Sequence, residues 1–211
     1  MSAESILFGV WVGGQSSRMG GHPKGLLTVP NSDETLLSRT VRIAAESAPG
    51  AEVVLVGENR AYAHLHLPTL ADDPPGIGPV GGLRALLKYS ARHGRPAIAL
   101  ACDMPFLSTR VIQRLIAWPS HASVVCPKRH DRWEPFCARY SPEPCLVALE
   151  PLLDSVNLGQ RGIGFQQFLN TVPTERLPLN ADEEHSLFDW DTPSDRNAQP
   201  CHPSDRIKAG K

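Results

Sequence analysis

A short, nearly continuous apolar run, Ile6 to Val12, stops at the paired glycines Gly13 and Gly14. No other feature restricts the fold as much. Apolar on both faces, without alternation, the run reads as a strand buried on each side, the habit of parallel sheets covered by helices. The segment from Gly13 to Gly25 cannot extend that strand. It carries further glycines, a proline and several cations, and is predicted to be a loop.

The rest of the chain repeats the alternation. Leu36, Leu37, Thr40, Val41 and Ala44 recur at helical spacing, with Ser32 or Asp33 as the expected cap. Glu52 to Val56 reads as a second buried strand, and Leu65 to Leu70 as a weaker one broken by Pro68. Asp72 to Gly82 is a Pro/Gly loop that feeds a helix through Leu83, Leu86, Leu87 and Tyr89. Ala97 to Cys102 is a strand ended by Asp103, and Ser108 is placed to cap a helix through Val111, Ile112, Leu115 and Ile116. Val124 to Cys126 and Phe136 to Tyr140 read as strands. Leu146 to Leu153 and Gln166 to Leu169 read as helices, and Ser186 to Trp190 as a last strand. The expected fold is α/β, a three-layer α/β/α sandwich with a Rossmann-like, mostly parallel sheet. One domain is expected over residues 1–195, and a disordered polar tail over 196–211.

Composition narrows the function classes. Lys plus Arg total 21 against 22 Asp plus Glu, a formal net charge of −1, so no global field attracts nucleic acid or an anionic membrane. An anionic ligand must be held by a local site. The five cysteines include no C-x-x-C pair, which favours reduced thiols over a disulfide framework or a zinc site. Neither a signal peptide nor an apolar run of bilayer-spanning length is evident, so the expected location is cytoplasmic.

The loop after the first strand has the makings of a phosphate cradle. Gly13 and Gly14 let backbone N–H groups approach a ligand. Arg18 supplies a fork suited to bidentate phosphate contact, and Lys24 a point charge. Ser16 and Ser17 add hydroxyl donors. Two familiar cradles do not fit. Lys24 is followed by Gly25 and two leucines, not by the hydroxyl of G-x-x-x-x-G-K-[ST], and the dinucleotide fingerprint G-x-G-x-x-G is missing here.

Gly13, Gly14, Ser16, Arg18, Met19, Gly20, Lys24 and Leu26 resemble the G-G-x-S-x-R-M-G-x-x-K-x-L signature of the molybdenum cofactor guanylyltransferase (MobA) family of nucleotidyltransferases. One extra residue falls around Gly21 to Pro23. The family usually has a leucine-alanine pair before the glycines, where this chain has Trp11-Val12. The resemblance implies that Val12, Gly13, Gly14, Lys24 and Asn59 meet the nucleotide, although Asn59 also suits a strand-end turn. The loop DDPPGIGPVGGL is similar to the family's D-x-x-P-G-x-G-P-L-x-G-L. It implies an aspartate that accepts from guanine N1–H and its exocyclic amine. Asp72 fits that role without a gap, and Asp73 fits with one insertion.

Cys102 to Leu107 match the family's C-D-M-P-F-L, with Asp103 at a strand end where ligands lie in open α/β sheets. A carboxylate about 4 Å from a phosphate charge costs roughly 4 kcal/mol at an effective dielectric near 20. A bridging divalent cation reverses that sign, and Mg²⁺ is the usual oxygen-liganded choice. Asp103 is therefore the expected metal ligand, against a plain helix-capping role. Asp189-Trp190-Asp191-Thr192-Pro193 resembles the family's N-x-N-T-P. Asp191 is then either a second metal ligand or the cap of a helix begun by Pro193. On the acceptor side, Trp133 is a candidate to stack on a pterin and Arg132 or Arg139 to meet its phosphate, against simple core packing.

The reaction the resemblance implies is transfer of GMP from GTP to the phosphate of Mo-molybdopterin, releasing pyrophosphate. Arg18, Lys24 and Asp103 would carry the catalysis and Mg²⁺ would be the cofactor. Other cofactor-biosynthesis proteins or molybdoenzyme chaperones are further candidate partners. The rival readings are a cytidylyltransferase acting on the same cofactor and a non-catalytic nucleotide-binding module.

Overall fold

The computed structural model describes residues 6–12, 23–30, 32–157, 164–190 and 195. The first strand, β1 (Leu7–Trp11), is buried at every position, as its unbroken apolar sequence requires. It pairs in parallel with β2 (Glu52–Val56) on one side and β4 (Ala97–Ala101) on the other, Trp11 lying opposite both Val56 and Ala101. Beyond β2 lies β3 (Thr69–Leu70), also parallel. Beyond β4 lies β7 (Cys137–Tyr140), antiparallel to it and to β5 (Val124–Arg129). Strand β5 in turn pairs with the short β6 (Arg132–Trp133) and, in parallel, with β8 (Thr174–Leu177). The sheet is thus mixed and mostly parallel, in the order β3-β2-β1-β4-β7-β5 with β6 and β8 both on β5.

Alternation along β1 sends side chains to two cores. Phe8, Val10 and Val12 meet α1 (Leu36–Ser47) and α3 (Thr109–Ala117) on one face. Leu7 and Trp11 meet α2 (Pro79–Arg92), α4 (Pro142–Asn157) and α5 (Phe165–Thr171) on the other. The middle layer is therefore covered on both sides, the three-layer arrangement expected. Gly9 brings α2 close to β1: a Cβ there would stand 2.6 Å from Leu86 Cδ2.

Some local expectations fail. The predicted strand from Ser186 to Trp190 is not one. Residues Ala181–Ser186 form α6 instead, because Asn180 accepts from the Glu183 N–H while the Glu183 carboxylate accepts from the Asn180 N–H, a reciprocal cap that fixes a helix start. Only Thr69–Leu70 of the segment from Leu65 to Leu70 is strand. Leu65 closes a 3₁₀ turn, Arg60–Leu65, ahead of Pro68. Helix α1 is capped by Thr35, whose hydroxyl accepts from the Ser38 N–H at 3.2 Å, and not by Ser32 or Asp33. Ser108 stands at the N-cap of α3 but makes no side-chain capping bond. No helix among the described residues is long and apolar enough to cross a membrane.

Candidate active site

The chain leaves β1 toward β2 and β3, then returns to add β4 on the opposite flank of β1. In open α/β sheets the carboxyl ends of the two strands at such a reversal form a ligand crevice. Those ends are Val12, just before the glycine pair in the sequence, and Cys102-Asp103. The crevice is thus defined by connectivity before any side chain is considered.

Two charged groups 79 residues apart meet there. Lys24 Nζ lies 3.2 Å from Asp103 Oδ2, and each side chain keeps about a fifth of its surface exposed (21% and 21%). The pair is open enough for a ligand to reach, and each charge is held in place by backbone that is itself fixed. Lys24 begins a 3₁₀ turn, Lys24–Leu26, whose Gly25 N–H donates to the buried Tyr62 hydroxyl at 3.1 Å. Gly25 is required at that spot: a Cβ would come 2.9 Å from Tyr62 Oη and 3.1 Å from Leu37 Cβ. The Asp103 carbonyl accepts from the Trp190 N–H at 2.9 Å, while the Trp190 ring packs on Val29 and Leu36. The segment after α6 therefore braces both the lysine loop and the aspartate. Sequence alone does not single out Tyr62 or Trp190 as site residues; the place of Trp190 beside the candidate ligand Asp191 was the available signal.

The crevice holds two neutral groups of altered acidity. Burial, with Asp103 adding to it, pushes the Cys102 thiol up to about 12, against a lowering by Lys24. Burial likewise pushes the Tyr62 hydroxyl up to about 12. Neither is a base or a nucleophile at neutral pH.

A cavity of about 530 Å³ is lined by Val12, Leu55, Gly57, Asn59, Tyr62 and Thr69 among others, and Tyr62 links it to the Lys24 turn through Gly25. Val12 and Asn59 both line the cavity. Asn59 also fills its alternative role: its Oδ1 accepts from the Ala61 N–H at 3.0 Å and caps the 3₁₀ turn. The cap uses only the oxygen of its amide.

The two neighbouring aspartates separate cleanly. Asp73 is engaged by Arg84 at 2.9 Å and Lys88 at 2.8 Å, and these partners hold its carboxyl below the ordinary range despite burial. Asp72 has no hydrogen-bond donor among the described residues. Burial, and then the charge of Glu58, push its carboxyl up. It lies under the start of α2, where a Cβ on Gly82 would come 3.1 Å from Asp72 Oδ1. Asp72 is the carboxylate left available, and Asp73 is a structural ion-pair partner.

On the far flank, Arg129 donates to Glu134 at 2.8 Å and to Asp189 at 3.3 Å. Arg139 is not an acceptor-side group. It is buried and donates to the carbonyls of Leu115, Ile116 and Trp118, closing the C-terminal end of α3. Trp133 carries Lys128 over its ring at 4.3 Å and donates to Asn170 at 3.1 Å, so its ring is already in use. Gly13, Gly14, Arg18 and Asp191 lie outside the described residues. Among the described residues no cluster of three or more His, Cys, Asp or Glu is placed to hold a metal.

A lysine and a carboxylate converging at the switch point of a mostly parallel sheet mark a ligand site of an α/β protein, and family membership makes the protein a nucleotidyltransferase. Residues 10–169 match the family model described as MobA-like NTP transferase domain, and the chain belongs to that family. It is 34% identical over 193 residues to a probable molybdenum cofactor guanylyltransferase of Nostoc sp., covering 88% of this chain and 86% of that one. It is 38% identical over 119 residues to the molybdenum cofactor guanylyltransferase of Rhodobacter capsulatus, covering 54% and 59%. The crystal structure of molybdopterin-guanine dinucleotide biosynthesis protein A from Archaeoglobus fulgidus superposes with a TM-score of 0.67 at 22% identity, over 97% of this chain and 100% of that one.

Proposed function

We propose that the chain transfers GMP from GTP to the terminal phosphate of Mo-molybdopterin, with release of pyrophosphate. The observation that carries this reading is the meeting of Lys24 and Asp103 at 3.2 Å across the β1/β4 crevice. Lys24 is suited to the triphosphate as a point charge. Val12 and Asn59 form the wall against which the nucleoside lies. Asp72 supplies two acceptor oxygens for the N1–H and 2-amino group of guanine, a donor pair that adenine, cytosine and uracil lack.

A divalent ion fits the donors present. Asp103 offers a hard oxygen that is partly open to solvent, and Mg²⁺ characteristically takes one or two carboxylates together with substrate phosphates and waters. Asp103 would hold it, with Asp191 as the candidate second ligand. When bound, such an ion neutralises phosphate charge and offsets the repulsion between Asp103 and the triphosphate.

The chemistry asks little more of the protein. The acceptor is a phosphate monoester with a second pKa of about 6, largely a dianion at neutral pH. One of its oxygens bonds to the α-phosphorus, and the bond from that phosphorus to the bridging oxygen breaks. The bond's electron pair leaves with pyrophosphate. No proton must be removed, which agrees with a crevice whose Cys102 and Tyr62 stay protonated. Lys24 and Arg18 hold the phosphates in line, and positioning with charge neutralisation supplies the rate.

Calorimetric titration of the full chain with the four NTPs and Mg²⁺ tests the reading. GTP ranks first if it is right. A preference for CTP moves the chain to the cytidylyl branch.

A further inference from the structure

Trp11 stands where the resemblance calls for leucine, and it brings something leucine does not have. Trp11 is buried (8% exposed), and its Nε1–H has no hydrogen-bond partner among the described residues. A buried donor left unpaired costs about 1–3 kcal/mol, so native structures rarely keep one without a use. The ring cannot easily turn away. It packs on Phe136 with centroids 5.2 Å apart, and Phe136 packs on Phe165 at 5.0 Å.

What lies beside that donor is shown by Gly82. A Cβ on residue 82 would stand 2.7 Å from Val56 Cγ1 and 3.1 Å from both Trp11 Nε1 and Asp72 Oδ1. Donor and carboxylate oxygen thus both border residue 82 in the first turn of α2, and come together there because it has no side chain. Among the described residues each lacks what the other has: the indole an acceptor, the carboxylate a donor. Nε1 is sealed from solvent, so it meets Asp72 and not the nucleotide directly.

The geometry points to Trp11 as a positioning residue for base recognition, its Nε1–H donating to one oxygen of Asp72 when nucleotide binds and so fixing the plane of a carboxylate whose two oxygens face the base. A carboxylate accepts several hydrogen bonds at once, so both contacts are compatible. This inference rests on the guanine reading above and names the residue that orients the recognising group.

The test uses the full chain and Trp11→Phe, which keeps an aromatic ring and removes the N–H. Both are titrated with GTP, ATP and tripolyphosphate in the presence of Mg²⁺. In parallel, the Trp11 indole resonance is followed in ¹⁵N-tryptophan-labelled wild type, assigned by its absence from the variant. The Kd for GTP is expected to rise about tenfold, as for a lost bond to a charged group. Tripolyphosphate binding stays unchanged and the GTP/ATP ratio falls. The indole proton moves downfield in wild type as GTP is added. Equal weakening of GTP and tripolyphosphate, or an indole resonance that stays in place while GTP binds, overturns the role of Trp11. If wild type binds GTP no better than ATP or CTP, it is the guanine reading that fails. The indole measurement with the preferred nucleotide then still decides whether Trp11 serves Asp72, and it needs no variant to fold.

Discussion

Gly81 is the point where the start of α2 presses hardest on the loop that carries Asp72. Its N–H donates to the Gly78 carbonyl at 3.0 Å, and its own carbonyl accepts from the Asp73 N–H at 3.1 Å. A Cβ here would stand 2.6 Å from the Pro74 carbonyl oxygen, 3.2 Å from Ile77 Cγ1 and 3.3 Å from Asp72 Cβ. The closest atom is backbone and cannot swing aside, so in Gly81→Ala the loop itself must move. Alanine gains about 1 kcal/mol in helix propensity, and overpacking costs about 1–3 kcal/mol. The expected net loss is about 1 kcal/mol, a fall of about 2–4 °C in Tm for a chain of this size. Because Asp72 moves with the loop, the Kd for GTP should rise by about fivefold, the factor that corresponds to 1 kcal/mol, with tripolyphosphate binding unaffected. Thermal unfolding and nucleotide titration of the same preparation read both effects. A variant as stable as wild type with unchanged GTP affinity refutes the packing argument.

Other positions give sharp expectations. Lys24→Ala should weaken tripolyphosphate binding more than guanosine binding in parallel titrations, while costing stability only about 0–1 kcal/mol because the pair with Asp103 is partly exposed. Arg139→Met should lower stability by about 2–4 kcal/mol in urea unfolding, since three carbonyls at the end of α3 lose their donor. The KM for the acceptor should not change; a raised acceptor KM with intact stability would restore Arg139 to the acceptor side. Burial acts to raise the Glu183 carboxyl, but the Asn180 N–H and then Arg114 outweigh it and leave the group lowered. Its contribution is therefore present above the unfolded carboxyl value of about 4.3 and lost as pH falls through the lower folded value. The stability gap between wild type and Glu183→Gln should be wide at pH 7 and close in strongly acid solution. A constant gap would show that ionisation of Glu183 is irrelevant.

Much of this architecture was legible because the buried strands carry unbroken apolar runs. Ile6 to Val12, Glu52 to Val56 and Ala97 to Cys102 form the centre of the sheet, and the order of their connections fixes the crevice. The periphery was harder to read. Thr174–Leu177 is mostly polar and pairs only with β5, so no hydrophobic period betrays it. Leu187 and Trp190 looked like strand residues, yet they are apolar because they cover the core beside α6. Asn180 followed by Glu183 was the cue, a capping box visible in sequence. In the site, Asp72 and Asp73 could not be told apart by spacing alone. What separates them is Arg84 and Lys88, which reach back from α2 to Asp73. Arg139 misled for a related reason: a cation on a strand reads as a ligand group, and only the packing reveals that it ends a helix.

The account stands on Asp103 and Lys24 facing a bound triphosphate together. Pyrophosphate release from GTP, measured with molybdopterin acceptor and Mg²⁺ for wild type and Asp103→Ala, tests this most directly. Acceptor-dependent release by wild type, and none by a variant whose unfolding transition matches wild type, is the predicted result. Turnover near the wild-type level in Asp103→Ala would contradict it.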